Sequence, residues 1–303
     1  CTFGGGGYSR AILKYPGTKV FAIDRDKITE HYANDLSKKF PDRFNFFRSK
    51  FSNLNQVIHS NINPKAIIFD LGLSSIQLLD NQRSFSFNSK SFLSMEMGIN
   101  KYTAYNVINS LDKRYLSNII KIFGEEKDGK IIANAINKHR IKNSIKTSEE
   151  LSKIIKSAKK NYNNFKKNPA TKTFQAIRIF VNQELTELIL GLIEATRILK
   201  KDSILIVVSF HSLEDKIVKY FFNLYSNLKK NPSRYLPLDE NKSILFKLLS
   251  KKVITPDKKE ISQNIRSRSA KLRYAIRNDK SFFYPHEFKK KFESYFEMEE
   301  VRL

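Results

Sequence analysis

Short apolar runs ending in an acid set the rhythm of the first third of the chain. Val20-Phe21-Ala22-Ile23-Asp24 has strand length and closes on a carboxylate, and Ala66-Ile67-Ile68-Phe69-Asp70 repeats the design. Phe44 to Ser49 reads as a strand between them, and helical stretches are predicted at about 26–39 and over Leu54 to Ile58. Strands and helices alternating at this length predict an α/β fold with a doubly wound sheet. From 101 to 171 the period becomes helical throughout. Leu116, Ile119, Ile120 and Phe123 mark one helix, with Gly124 placed to end it. Ile131, Ile132, Ala135, Ile136 and His139 mark another. Thr147-Ser148-Glu149-Glu150 is a capping box opening a third, with Leu151, Ile154, Ile155 and Ala158 on its apolar face. Residues 101–171 are therefore expected to be an all-helical domain inserted into a sheet domain made of 1–100 and 172–303. In the second part of that domain one long helix is predicted from about 174 to 199. Ser203 to Phe210 follows as a central strand and Leu272 to Arg277 as a closing one. Residues 227–243 read as a loop, and the Phe- and Lys-rich tail beyond 280 as a terminal helix or an arm.

The chemistry concentrates where these strands end. Four of the ten glycines stand together at Gly4-Gly5-Gly6-Gly7, ahead of a predicted helix and about twenty residues before Asp24. Glycine lets the backbone take φ > 0 and lets a ligand approach the main chain. A Gly-rich turn, a helix and a strand ending in an acid form the layout of a nucleotide-binding βαβ unit. The spacing Gly4-x-Gly6-x-x-Ser9 departs from the dinucleotide fingerprint at its last position, so NAD and S-adenosylmethionine both stay open on this loop. Asp70, Ser74, Ser75 and Gln77 cluster after the second acidic strand, where they either contact a ligand or cap the next turn. In Ser209-Phe210-His211-Ser212-Leu213-Glu214-Asp215, Ser212 to Asp215 fits a capping box, and His211 is a candidate for substrate contact. Phe85 and Phe87 beside Arg83 either stack on a base or pin a loop.

Composition narrows the classes. The net charge is +25 over 303 residues, which suits a polyanionic partner such as nucleic acid. Ten basic residues crowd into or beside the helical insertion: Lys138, Arg140, Lys142, Lys146, Lys156, Lys159, Lys160, Lys166, Lys167 and Lys172. They predict a phosphate-contacting surface. Arg266 and Arg268 form a second basic loop before the closing strand. The sole cysteine is Cys1, which excludes a disulfide framework and a thiolate zinc site and suits the cytoplasm. The five histidines have no metal-ligand spacing, and no metal is expected. The longest strongly apolar run, Ile204 to Val208, is far short of a membrane span. The chain opens on Cys1 with the glycine loop ahead of any strand that could feed it, so an N-terminal piece bearing a first strand is expected to be missing.

Taken together, the motifs resemble the MraW/RsmH family of S-adenosylmethionine-dependent methyltransferases of 16S (small-subunit) ribosomal RNA. The matching stretches are TFGGGGYS at 2–9, AIDRD at 22–26, DLGLSSIQ at 70–77, RSFSF at 83–87 and FGEEKDGK at 123–130. ATKTFQAIRIFVNQEL at 170–185, SFHSLED at 209–215 and RSRSAKLR at 266–273 continue the series in the family's order. The resemblance implies a Rossmann-like class I methyltransferase sheet interrupted by a helical domain. It also implies methylation of the N4 amine of a decoding-region cytosine. Cofactor contacts carried over by it fall on Gly6, Gly7, Tyr8, Asp24, Phe51, Asp70 and Gln77. Asp70 is expected to align the amine, with Ser74, Ser75 and His211 as substrate contacts. The partner implied is the small ribosomal subunit, and a homodimer is compatible with the sequence. The chain departs from the family at Tyr8 (usually His), Ile76 and Ile265 (Pro), Ser84 (Gly), and Ser94 and Glu96 (Asp and Arg). An NAD-dependent oxidoreductase and a non-catalytic rRNA-binding or assembly protein are the rival readings.

Overall fold

The computed structural model describes residues 1–159, 168–226, 244–250 and 252–301. The predicted loop at 227–243, and Lys160, Lys166 and Lys167 of the basic cluster, lie outside the described residues. In chain order the elements begin with α1 (Gly7–Leu13), β1 (Val20–Asp24), α2 (Thr29–Lys39), β2 (Phe44–Arg48), α3 (Leu54–Val57), β3 (Ala66–Asp70) and α4 (Ser75–Leu79). The helices α5 (Ala104–Ser110), α6 (Lys113–Phe123), α7 (Gly129–Arg140), α8 (Ser148–Ala158), α9 (Thr171–Asn182) and α10 (Glu184–Ile198) follow. Then come β4 (Ile204–Ser209), α11 (Ser212–Tyr225), β5 (Phe246–Lys247), α12 (Lys258–Gln263), β6 (Lys271–Arg277), α13 (His286–Lys291) and α14 (Glu293–Glu299). Among the described residues no helix is long and apolar enough to cross a membrane. The chain divides into two compact units.

The first unit comprises Cys1–Asp24, Ile28–Gly72 and Glu187–Glu293. Its strands form two sheets. β1 and β2 pair in parallel, and the other four run in the order β3-β4-β6-β5. β3 and β4 are parallel, while β6 is antiparallel to both its neighbours. This is the Rossmann-like arrangement expected, with its reversed strand toward one edge. Residues 1–3 hydrogen-bond to both sheets. The Phe3 amide donates to Ile23 at 3.0 Å, and the Cys1 amine donates to Ile68 at 2.8 Å. Such isolated bonds link the sheets without making a continuous ladder. Ile67, Phe69, Leu205 and Val207 are buried on one face of the sheet, while Ile68 and Ile206 on the other are half-buried. The tail beyond 280 resolves as helix, with Phe288 and Phe292 laid on Tyr220 of α11.

The second unit comprises Arg25–Lys27, Leu73–Thr186 and Ser294–Leu303. α6 ends at Gly124 as predicted, and the Thr147–Glu150 capping box opens α8. On α7 the buried face is Ile132, Ala133 and Ile136, while Ile131 is exposed. The long helix predicted from 174 to 199 is instead two helices, because Gln183 takes the left-handed conformation (φ 52°) and ends α9. The break frees Asn182 to staple the irregular loop at 95–100. Its side chain accepts from the Met97 amide and donates to the Met95 carbonyl, both at 2.8 Å. Arg25 completes the staple by donating to Gly98, Ile99 and the Asn182 carbonyl. Gly98 (φ 106°) is obligatory there, since an added Cβ would lie 2.4 Å from the Arg25 carbonyl. Ser84 stands where the family usually has Gly, and its φ of 59° is the left-handed backbone that Gly favours. Its hydroxyl compensates by donating to Phe92 at 2.7 Å. Phe87 packs on Phe174 with ring centroids 4.8 Å apart, so it pins the loop and does not present a free face for a base.

Lys159 corrects the basic-surface expectation. It is buried and forms an ion pair with Glu126 of the FGEEKDGK stretch, each side chain only 5% exposed, and it also donates to the Pro169 carbonyl at 3.1 Å. Removing one partner strands a buried charge. Lys159→Ala should therefore lower unfolding stability by about 3–5 kcal/mol. A Lys159→Met/Glu126→Leu double variant should recover most of the loss, as read by urea denaturation.

Candidate active site

The glycine loop is held by apolar packing beneath it. Phe3 is buried among Leu13, Ala22, Ala33, Leu36 and Phe44, which fixes the chain just ahead of the glycines. Gly4 and Gly6 take φ of 52° and 78°, closed to most side chains. A Cβ on Gly6 would stand 2.9 Å from the Phe3 ring, whereas one on Gly7 would meet nothing within 4 Å. The loop is thus tight against the core at Gly6 and open at Gly7. Tyr8, which follows, leaves 46% of its surface exposed.

Both acidic strand ends converge on this loop. The Gly4 amide donates to the Asp24 carboxylate at 2.8 Å, and the Asp70 amide donates to the Thr2 hydroxyl at 2.7 Å. Both carboxylates act on the Cys1 ammonium, whose pKa burial nevertheless pushes down to about 5. Burial raises the Asp70 pKa to about 6; the Cys1 ammonium opposes that rise and the Glu214 carboxylate adds to it. Burial also raises the Tyr8 phenol, with Asp70 and then Glu260 reinforcing it. Asp24, Asp70 and Tyr8 therefore share one electrostatic neighbourhood at the carboxyl ends of β1 and β3, where open α/β sheets bind ligands. Gly72 (φ 83°) turns the chain away after β3, with the Phe210 ring alongside it.

The other predicted residues separate into two groups. Phe51 lies in the first unit, its ring edge-on to Phe69 at 5.3 Å and against Gly191. His211 also lies there, as the N-cap of α11. Its Nδ1 accepts from the Glu214 amide at 3.4 Å, and its Nε2 lies 3.2 Å from a Glu214 carboxylate oxygen. The capping box predicted for Ser212 to Asp215 is therefore set one residue earlier, because the imidazole performs the capping. Asp215 instead binds Lys271 and Arg273, which hold its carboxyl below the usual range against the effect of burial. Ser74, Ser75 and Gln77 lie in the second unit. Ser74 caps α4, accepting from the Gln77 amide while the Gln77 side chain accepts from the Ser74 amide. Gln77 also donates to the buried Asp26 at 2.7 Å, and Arg83 grips the same carboxylate with both its terminal nitrogens. Arg266 and Arg268 stand exposed on a short 3₁₀ turn.

A model of the MraW methylase family matches residues 1–278. The chain belongs to the MraW methylase family. Curated relatives agree over nearly their whole length. The ribosomal RNA small subunit methyltransferase H of Ehrlichia ruminantium (strain Welgevonden) is 43% identical over 281 residues, 91% of each chain. The protein of that name from Wolbachia sp. subsp. Drosophila simulans (strain wRi) is 44% identical over 275 residues, 90% of this chain and 89% of that one. Its counterpart from Afipia carboxidovorans is 41% identical over 293 residues, 94% of this chain and 87% of that one. Membership makes this α/β sheet that of a class I methyltransferase and removes the oxidoreductase reading.

Some residues that shape this neighbourhood escaped sequence reasoning. Thr2 holds the end of β3, and Glu214 adds to the upward shift of Asp70 that burial leads. Gly191 could have been found, because a lone glycine within an apolar helical pattern marks close packing. A Cβ there would lie 2.6 Å from the Phe51 ring. The Asp70 shift has a definite sign. A carboxyl at about 6 in the folded chain, against 3.8 without the fold, keeps its proton longer when folded. Its effect is to lower stability as pH rises from about 4 to about 6, and Asp70→Asn should abolish that slope. NMR titration of the Asp70 carboxyl should give a midpoint near 6, lowered by Glu214→Gln; an ordinary carboxylate midpoint would contradict the burial.

Proposed function

We propose that the chain is an S-adenosylmethionine-dependent methyltransferase acting in the cytoplasm on the N4 amine of a decoding-region cytosine in 16S ribosomal RNA. The observation that carries the reading is the convergence of Asp24 and Asp70 on the glycine loop in a chain of a methylase family. The name of its relatives supports ribosomal RNA of the small subunit as the substrate. The donor set fits the cofactor. Two carboxylates can accept from an ammonium and from ribose hydroxyls, the backbone is open at Gly7, and Phe51 offers an apolar wall. Gly6, Gly7, Tyr8, Asp24, Phe51 and Asp70 would hold it. When bound, it supplies an already activated methyl group.

The protein's own share is position and charge. The lone pair of a cytosine amine is conjugated with the ring, so it attacks poorly until an acceptor draws on its N–H. A carboxylate oxygen of Asp70 is suited to accept that hydrogen bond and then the proton released as the amine becomes secondary. Burial, with Glu214 adding to it, keeps the Asp70 carboxyl basic enough for this task, and the Glu214 carboxylate is fixed by the Phe210 amide at 2.8 Å. The base has to leave the stack to reach the site. The helical insertion at 101–171, with Lys138, Lys142 and Lys146 exposed, is proposed to hold the surrounding RNA.

Calorimetry should detect binding of S-adenosylmethionine and none of NAD. Transfer of labelled methyl to small-subunit RNA should rise with pH through about 6 as Asp70 ionises. Asp70→Ala should reduce turnover by about 100-fold or more. Full turnover in that variant would remove Asp70 from the mechanism.

A further inference from the structure

Phe92 is 54% exposed, yet its backbone is firmly held within the second unit. Its carbonyl accepts from the Ser84 hydroxyl at 2.7 Å and from the Ser94 amide at 2.8 Å, and the residue forms an antiparallel bridge with Thr147. The next residue, Leu93, donates to Lys146 at 2.8 Å and accepts from the Tyr105 amide at 2.7 Å. Tyr105 in turn supports the Phe92 ring, with centroids 5.2 Å apart and planes at 37°. A single exposed apolar side chain needs no explanation. Here, though, the ring is backed by a second aromatic and held outward by bonds on both sides.

Lysines and acids share the surface around it. Lys90 and Lys146 are exposed next to Phe92 in sequence and on the segment bridged to it, while Lys101, also exposed, lies over the Tyr102 ring at 4.9 Å. Two of the acids on the bridged segment are held by neighbours. The Glu150 carboxylate accepts from the Lys146 and Thr147 amides at 2.8 and 3.2 Å, and Glu149 pairs with Lys153 at 2.9 Å. Lysines around a backed aromatic ring are the recognition chemistry of unpaired nucleic acid, where a base stacks and the flanking phosphates are neutralised.

We propose that Phe92, supported by Tyr105 and flanked by Lys90 and Lys146, is a stacking platform for an unpaired RNA base. This surface deepens the proposed RNA methylation and rests on it for the identity of the partner. It would anchor a nucleotide other than the one that reacts, since none of these residues belongs to the Asp24–Asp70 site.

The test is binding of a short fluorescent single-stranded RNA, and of a duplex of the same sequence, to the whole chain at several salt concentrations. Phe92→Ala and Phe92→Leu should both weaken single-strand binding by about 5- to 150-fold, while Phe92→Tyr stays close to the parent. Duplex binding should change little in any of the three. Lys90→Gln and Lys146→Gln should each flatten the salt dependence by a slope of about one. Phe92→Leu keeps an apolar side chain at an exposed position, so its loss would report stacking and not misfolding. Parent-like affinity in both Phe92→Ala and Phe92→Leu would overturn the platform. So would a loss confined to assembled subunits with free RNA unaffected, which would mark a protein contact. Methyl transfer is scored separately. Phe92-dependent binding by a chain that transfers no methyl would keep the platform and sink the proposed activity. Normal transfer with Phe92-independent binding would do the reverse.

Discussion

One hydrogen bond, from the Gly4 amide to the Asp24 carboxylate at 2.8 Å, ties the glycine loop to the end of β1. The loop has no side chains of its own with which to hold a shape. Its conformation is set by that bond, by Phe3 locked into the core beneath it, and by left-handed backbone at Gly4 and Gly6. The same short segment reaches β3 through Cys1 and Thr2, which brings Asp70 to the loop's other side. Two acids 46 positions apart in sequence thereby face one neighbourhood. Their partial removal from water is what separates them from ordinary surface carboxylates. Burial is the leading cause of the Asp70 shift, and a carboxyl that titrates near 6 can change its charge close to neutrality.

The parts legible in the sequence were those fixed by local rules. Apolar runs of strand length gave β1, β3, β4 and β6 nearly to the residue, and the capping box at Thr147 fixed the start of α8. The glycine loop, Asp24 and Asp70 were legible because a ligand-binding βαβ unit needs those residue types at those spacings. What was not legible depended on side chains meeting across the fold. Apolar periodicity runs unbroken through Gln183, and the left-handed turn there, with Asn182 bonded to the 95–100 loop, shows only in the fold. Likewise, His211 performs a capping role that sequence reasoning assigns to serine. Its ring nitrogens turn toward Glu214, two residues whose relation appears only once α11 is folded.

Charge was the least legible quantity of all. A count of +25 treats every lysine alike, whereas Lys159 lies inside the helical unit and neutralises Glu126. Arg25 and Arg83 are likewise spent on carbonyls and on the buried Asp26. The basic residues available to a polyanion are those on exposed helix faces and loops, among them Lys138, Lys142 and Lys146 in the second unit and Arg266 and Arg268 before β6. Buried cations thus help build the second unit, and the exposed ones remain open to a polyanion.

The central claim is that this chain methylates a cytosine amine in small-subunit ribosomal RNA. Mass spectrometry of nucleosides from that RNA, taken from cells with and without the protein, tests it most directly. N4-methylation of a decoding-region cytosine should disappear with the protein and return with the active chain but not with an Asp70→Ala chain. An unchanged cytosine methylation pattern in its absence would contradict it.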